Sequence, residues 1–177
     1  LLRELLVNTT LKNSVQRNQN NKKIANNILA EVRKPTWEIT LTSITNEMLT
    51  PIFNLLTYAS PVVQEIAAKA LTELTAHPDP FKAIDINTKI VEEGALVPLV
   101  KLLNHGNENV QKFAAGTIAN LAHSSDENKS KIVEAGAVVP LVNLLSHGNE
   151  KAKENAARVI MNLSCESEVN KTAIVDA

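Results

Sequence analysis

The sequence predicts an all-α solenoid built from three-helix units, and two observations carry the prediction. The first is a period of 42 residues that relates Gly94 to Gly136, Pro98 to Pro140, His105 to His147, Asn120 to Asn162 and Asn128 to Asn170. Laid over each other, residues 86–127 and 128–169 agree at 22 of 42 positions, enough to make the second segment a copy of the first. The second is that apolar residues recur at helical spacing between glycines and prolines placed where helices start and stop. Periods of about 40–47 residues belong to stacked helical repeats, whose units bury their apolar faces only against neighbours.

Each element follows from the last complete unit. Lys131–Glu134, with Ile132 and Val133, reads as a short amphipathic turn closed by Gly136. Ala137–Leu145 is apolar almost throughout and reads as a buried second helix, in which Pro140 is tolerable only within the first turn. Gly148 is then expected to supply a left-handed position, Asn149 to cap the next helix, and Glu150 to complement the macrodipole of its first turn. A third helix runs from about Glu150 to Cys165. In the unit before it, Val110, Ala114, Thr117, Ile118 and Leu121 form a packing stripe, while Lys112, Gly116, Asn120 and His123 lie off it. One side is therefore expected to pack and the other to be free to bind.

Upstream, the repeat is looser. Pro51 precedes Pro98 by 47 residues, and so do Val63, Gln64, Ala67, Ala68 and Leu74 their counterparts Val110, Gln111, Ala114, Ala115 and Leu121. The five extra residues fall near His77–Ile84, where Pro78 and Pro80 are expected to break helix. Ile24, Ala25 and Leu29 sit 42 before Ile66, Ala67 and Leu71, which places a degenerate third helix over Asn18–Lys34. Leu1–Val7 reads as the second helix of that unit, joined to it by the Asn- and Thr-rich segment Asn8–Asn21. The chain thus divides as one domain, 1–177: a partial repeat over 1–35, repeats over 36–80, 81–127 and 128–169, and the start of another over 170–177. Both ends cut through a repeat, so the expectation is a piece of a longer solenoid whose uncovered apolar ends associate end to end.

Composition narrows the function. With 44% hydrophobic residues the chain can fill one continuous core, and a net charge of −1 argues against nonspecific nucleic-acid binding. One cysteine forms no internal disulfide, which fits a reducing compartment, and no apolar run reaches the length of a membrane span. The expected location is the cytoplasm, with the nucleus as a second compartment.

The segments Asn128-Lys-Ser-Lys-Ile-Val-Glu-Ala-Gly-Ala-Val-Val-Pro-Leu-Val-Asn-Leu-Leu and Asn155-Ala-Ala-Arg-Val-Ile-Met-Asn-Leu-Ser closely resemble the armadillo repeat. The resemblance is specific over residues 87–177 and weaker before them. It implies a right-handed superhelix whose third helices line a concave groove, where a ladder of asparagines grips the main chain of an extended peptide; Asn120 and Asn162 align with that ladder. A carboxamide offers both donor and acceptor, so it can bond a peptide unit whatever the peptide's sequence. The other reading, that each Asn only bonds locally on a solvated face, stays open. Nuclear-import adaptors of this family pair the Asn with a Trp four residues earlier, but those positions here hold Lys69, Gly116 and Arg158, and Glu73 stands at the earlier Asn position. Lys69 and Arg158 instead resemble a catenin-like groove that accepts acidic, extended partners. Phe113 is open to two roles, packing or an apolar contact with the peptide. The implied function is a noncatalytic protein-binding scaffold; a substrate-recognition array of a U-box-type ubiquitin ligase and a structural array acting through its ends or convex face are the alternatives.

No catalytic constellation, cofactor motif or metal site emerges from the residues. His105 and His147 recur in register, but stacked helices lie about 8–10 Å apart, whereas two nitrogens on one zinc lie about 3–3.5 Å apart. Turn histidines are the better reading. Cys165 has no His or Asp at a spacing that implies a catalytic pair and is expected to be a small packing residue. Asp79, Asp85, Asp126, Glu127, Glu166 and Glu168 read as charges in or beside inter-repeat loops.

Overall fold

A computed structural model describes residues 16–30, 33, 46–165 and 168–176. The predicted helix at Leu1–Val7, residues 8–15 of the segment after it, Trp37, Glu166 and Ala177 lie outside the described residues. The helices are α1 (residues 16–30), α2 (Asn46–Tyr58), α3 (Pro61–Thr75), α4 (Pro80–Glu92), α5 (Leu96–His105), α6 (Glu108–Ser124), α7 (Asp126–Glu134), α8 (Val138–His147), α9 (Glu150–Ser164) and α10 (Glu168–Val175). Among the described residues there is no strand.

Three rows organise the chain. The third helices α3, α6 and α9 stack side by side, the second helices α2, α5 and α8 form a row behind them, and α4, α7 and α10 form the row of first helices. Contacts are most extensive between neighbouring third helices, and each second helix packs on the third helix of its own unit. The core runs through all of them: Leu71, Leu74, Ile90, Leu99, Ile118 and Leu121 are completely buried. Each such side chain contributes about 1.5–3 kcal/mol on burial, so the array is held chiefly by this continuous seam. Ala25 joins the core from α1, in agreement with the degenerate third helix, although Arg33 already lies in a turn.

Local chemistry explains the boundaries. Asn107 and Asn149 cap α6 and α9, each accepting with Oδ1 from the amide three residues on at 2.9 Å. Pro98 and Pro140 occupy the third position of α5 and α8, where a missing N–H leaves no helical bond unmade. The first helices α4 and α7 end in matching left-handed glycines, Gly94 at φ 92° and Gly136 at φ 77°. Around Gly136 the amide of Ala137 reaches Ile132 O and that of Gly136 reaches Val133 O, the paired bonds of a Schellman stop.

Four expectations change. Gly148 is not left-handed: its φ is −73°, and it is glycine because a Cβ would lie 2.6 Å from Leu144 O in the turn that closes α8. Gly106 repeats the arrangement, with a Cβ position 2.5 Å from Leu102 O. Pro80 starts a helix rather than breaking one. Asp79 accepts from the amides of Phe81 and Lys82, Pro80 follows as the first residue, and α4 runs 13 residues against 9 in α7, so the extra residues lengthen a helix and Asp85 lies within it. Pro51 lies inside α2, since residues ahead of it are helical as well. Finally, the free side of α6 is narrower than its stripe suggests: Ala114 through Ala119 are all buried, because α3 and α9 flank α6 on two sides and small residues let them approach.

Candidate functional site

The face carrying the predicted site is built by α3, α6 and α9. Asn120 donates through Nδ2 to Thr72 O at 3.3 Å and to Thr75 Oγ1 at 3.1 Å, and Asn162 donates to Ala119 O at 3.2 Å. Thr72 and Ala119 each stand one residue before the ladder position of the preceding third helix, so the same side-chain bond is made at both steps. A helical carbonyl has a second lone pair to accept it. The ladder asparagines therefore tie one repeat to the next; both N–H groups of Asn120 are engaged in this, whereas Asn162 uses one of its two.

Arg158 and Gly116 meet across this step. The Arg158 guanidinium is exposed, and its Nη2 donates to Asn120 Oδ1 at 3.2 Å and to Gly116 O at 3.4 Å. Gly116 is buried, and a Cβ there would meet Asn155 Nδ2 at 3.2 Å and Thr72 Cγ2 at 3.4 Å, so its lack of a side chain serves helix approach. Among the described residues no carboxylate lies within salt-bridge distance of Arg158, although it helps, behind Lys151, to hold the Glu154 carboxyl below its ordinary range.

Lys69 and Phe113 lie at the next step. The Lys112 ammonium sits 4.3 Å and that of Lys69 5.9 Å from the Phe113 ring centroid, and the ring packs against the core. Phe113 is thus a half-buried platform beneath two cations. Glu73 is engaged elsewhere: Arg33 holds it through two bonds, Nε to Oε2 at 2.7 Å and Nη2 to Oε1 at 2.6 Å, and that carboxylate raises the Arg33 pKa. The pair fastens the chain after α1 to α3.

A pocket of about 570 Å³ opens beside the Asn120–Arg158 step. Pro78, Pro80, Ala83 and Ile84 of the α3–α4 junction form one wall, and Met161 and Arg158 of α9 form the other. Beneath it Asn87, 2% exposed, donates through Nδ2 to Thr75 O, Asn120 O and Ser124 Oγ, joining α3, α4 and α6. Sequence reading missed this feature, because the junction reads as an interrupted loop and Asn87 has no counterpart in register. Asn155, which donates to Lys112 O at 3.0 Å, and Thr72, whose hydroxyl reaches Phe113 O at 3.0 Å, were missed too. Asn128 and Asn170 did carry a signal in their recurrence: each donates to the carbonyl seven residues back, Leu121 O and Leu163 O, and ties a first helix to the third helix before it.

His105 and His147 end α5 and α8 on the surface, and Cys165 is exposed in the turn after α9 instead of packed. Among the described residues no three His, Cys, Asp or Glu side chains gather as a metal-binding group, and no helix is long and apolar enough to cross a membrane.

Rows of three-helix units joined by side-chain ties, with a polar and cationic face on the third helices, define a helical-repeat scaffold. The Armadillo/beta-catenin-like repeat family matches residues 89–123 and 125–165. Residues 89–165 thus carry two armadillo repeats, and the fold is that of an armadillo-repeat solenoid. Among solved structures it is similar to computationally designed armadillo repeat proteins for modular peptide recognition, at 30% identity and a TM-score of 0.72 over 88% of this chain and 61% of that one. It is similar also to a designed armadillo repeat protein in complex with the peptide (KR)4, at 27% identity and TM-score 0.65 over 85% of this chain and 68% of that one. An engineered protein matches at 33% identity and TM-score 0.74, over 86% of this chain and 36% of the other. The chain spans about six-tenths of the length of the first of these. No curated protein matches it at a significant level.

Proposed function

We propose that this chain is a noncatalytic scaffold that binds an extended peptide segment of a protein partner along α3, α6 and α9, and that the segment is acidic where it crosses Lys69 and Arg158. The observation that carries the reading is Arg158: an exposed guanidinium on the third-helix face whose hydrogen-bond partners among the described residues are the neutral oxygens of Gly116 and Asn120. Its fork retains donors for a carboxylate. Asn162 lies beside it with a carboxamide oxygen and a second N–H that are not engaged among the described residues, Asn120 offers only its oxygen, and Lys69 stands one repeat before. Computationally designed armadillo repeat proteins for modular peptide recognition share the fold, and another designed armadillo repeat protein is in complex with the basic peptide (KR)4. The charge at these positions in this chain favours the opposite sign.

Titration with the acidic peptide (DE)4 and the basic peptide (KR)4 tests the reading. The native chain should prefer (DE)4, with an affinity that falls between about 50 and about 200 mM salt. Lys69→Glu with Arg158→Glu should invert the preference. Tighter binding of (KR)4 by the native chain would refute the assignment.

A further inference from the structure

The lengthened α4 builds a feature that the 42-residue repeat does not supply elsewhere in register. After α6, Ser125 directly caps α7, whereas after α3 the chain passes through His77–Asp79 before α4 begins. That detour and the additional turn of α4 overhang the groove and make the pocket of about 570 Å³. Its walls are apolar at Pro78, Pro80, Ala83, Ile84 and Met161; Ile84 is 41% and Met161 59% exposed, so two large apolar side chains face solvent across an opening. Among the described residues no Asp or Glu lines the pocket, and Asp79 is turned to the amides of α4. The charged side chain at its wall is Arg158, and the imidazoles of His77 and His123 also line it.

We propose that this pocket selects one position of the bound peptide: a bulky apolar side chain enters between Ile84 and Met161, and an acidic residue beside it in the peptide pairs with Arg158. The proposal rests on the peptide-binding reading above and adds to it the composition and place of the anchor. Apolar walls exclude a charged side chain from the interior, because a desolvated charge without a partner is unfavourable. The guanidinium at the edge supplies the partner for a carboxylate that stays at the rim. The volume accommodates one large side chain together with the main chain that carries it.

The test is an array of short Gly-Ser peptides in which Ala, Leu, Phe or Trp is placed next to Glu, Gln or Lys, probed with the native chain and with three variants. Binding should be strongest for Leu, Phe or Trp beside Glu and should fall about tenfold or more when Ala replaces the apolar residue. Arg158→Glu should transfer the preference from Glu to Lys at the adjacent position without removing the apolar requirement. Ala83→Trp, which fills the pocket from the exposed side of α4, should abolish the apolar preference; Ile84→Ser should weaken it and serves as the second variant if the first does not fold. Asn120→Ala with Asn162→Ala separates the two readings. If that double variant loses binding while Ala83→Trp leaves the apolar preference intact, the pocket proposal fails and the groove stands. An array on which nothing binds overturns both.

Discussion

Removing the ladder carboxamides one at a time gives unequal losses of stability, because the two side chains have different numbers of partners. Among the described residues the Asn162 side chain makes one bond, to Ala119 O, while that of Asn120 makes three, to Thr72 O, Thr75 Oγ1 and Arg158. A net intramolecular hydrogen bond contributes about 0.5–1.5 kcal/mol, with bonds of 3.1–3.3 Å toward the lower part of that range. Replacing Asn by Ala inside a helix returns roughly 0.5–0.7 kcal/mol of propensity. Asn162→Ala should therefore lie within about 0.5 kcal/mol of the native chain, and Asn120→Ala about 1–2 kcal/mol below it. The larger loss stays moderate because Arg158 is exposed and rehydrates, and Thr75 keeps its bonds to Leu71 O and Thr72 O. Urea denaturation followed by far-UV circular dichroism measures both, and the thermal midpoint of Asn120→Ala should fall by roughly 2–8 °C. Equal losses for the two variants, or a silent Asn120→Ala, would show that these bonds do not hold the stack.

Two further outcomes follow from the glycines and the surface pairs. Gly136→Ala should cost about 1–2 kcal/mol through its positive φ and be improved by Gly136→Asn, whereas at Gly148, where a Cβ meets Leu144 O, Asn should be no better than Ala; denaturation midpoints of the four variants decide it. The Glu127 carboxyl is held below its ordinary 4.5 by the hydrogen bond and charge of Lys131, so its contribution to stability is complete above 4.5 and lost as pH falls through the depressed value. Glu127→Gln should accordingly be less stable than the native chain near neutral pH, and the gap should close on acidification; a gap unchanged by pH would refute the linkage.

Much of the architecture was legible because the repeat is written in residues whose roles are local. Pro98 and Pro140, Asn107 and Asn149, and Gly94 and Gly136 act within a turn of their own position, so register alone placed the helix ends. Gly148 misled because a glycine after a helix suits two different needs, a positive φ or a close carbonyl, and spacing does not separate them. Pro80 misled in the same way: a proline ends one helix or begins another, and the deciding partner is the carboxylate of Asp79. At the candidate site, Lys69, Arg158, Asn120 and Asn162 were found because repeat alignment places them on one face. What they touch was not legible, since Asn120 meets Thr72, Thr75 and Arg158 only after three repeats stack. Glu73 illustrates the limit, for its partner Arg33 lies 40 residues earlier in sequence and in the least regular unit.

The extra turn of α4 matters for how a peptide could be held in frame. A uniform array presents the same foothold at every step, so a ligand chain can shift by one repeat and regain nearly all its contacts, and its bound states form a set of sliding offsets. One lengthened helix breaks that translational symmetry. Only the offset that brings the matching residue to Ile84 and Met161 keeps its full set of contacts, so a single irregular repeat works as an index mark, turning a ruler with identical divisions into one with a zero.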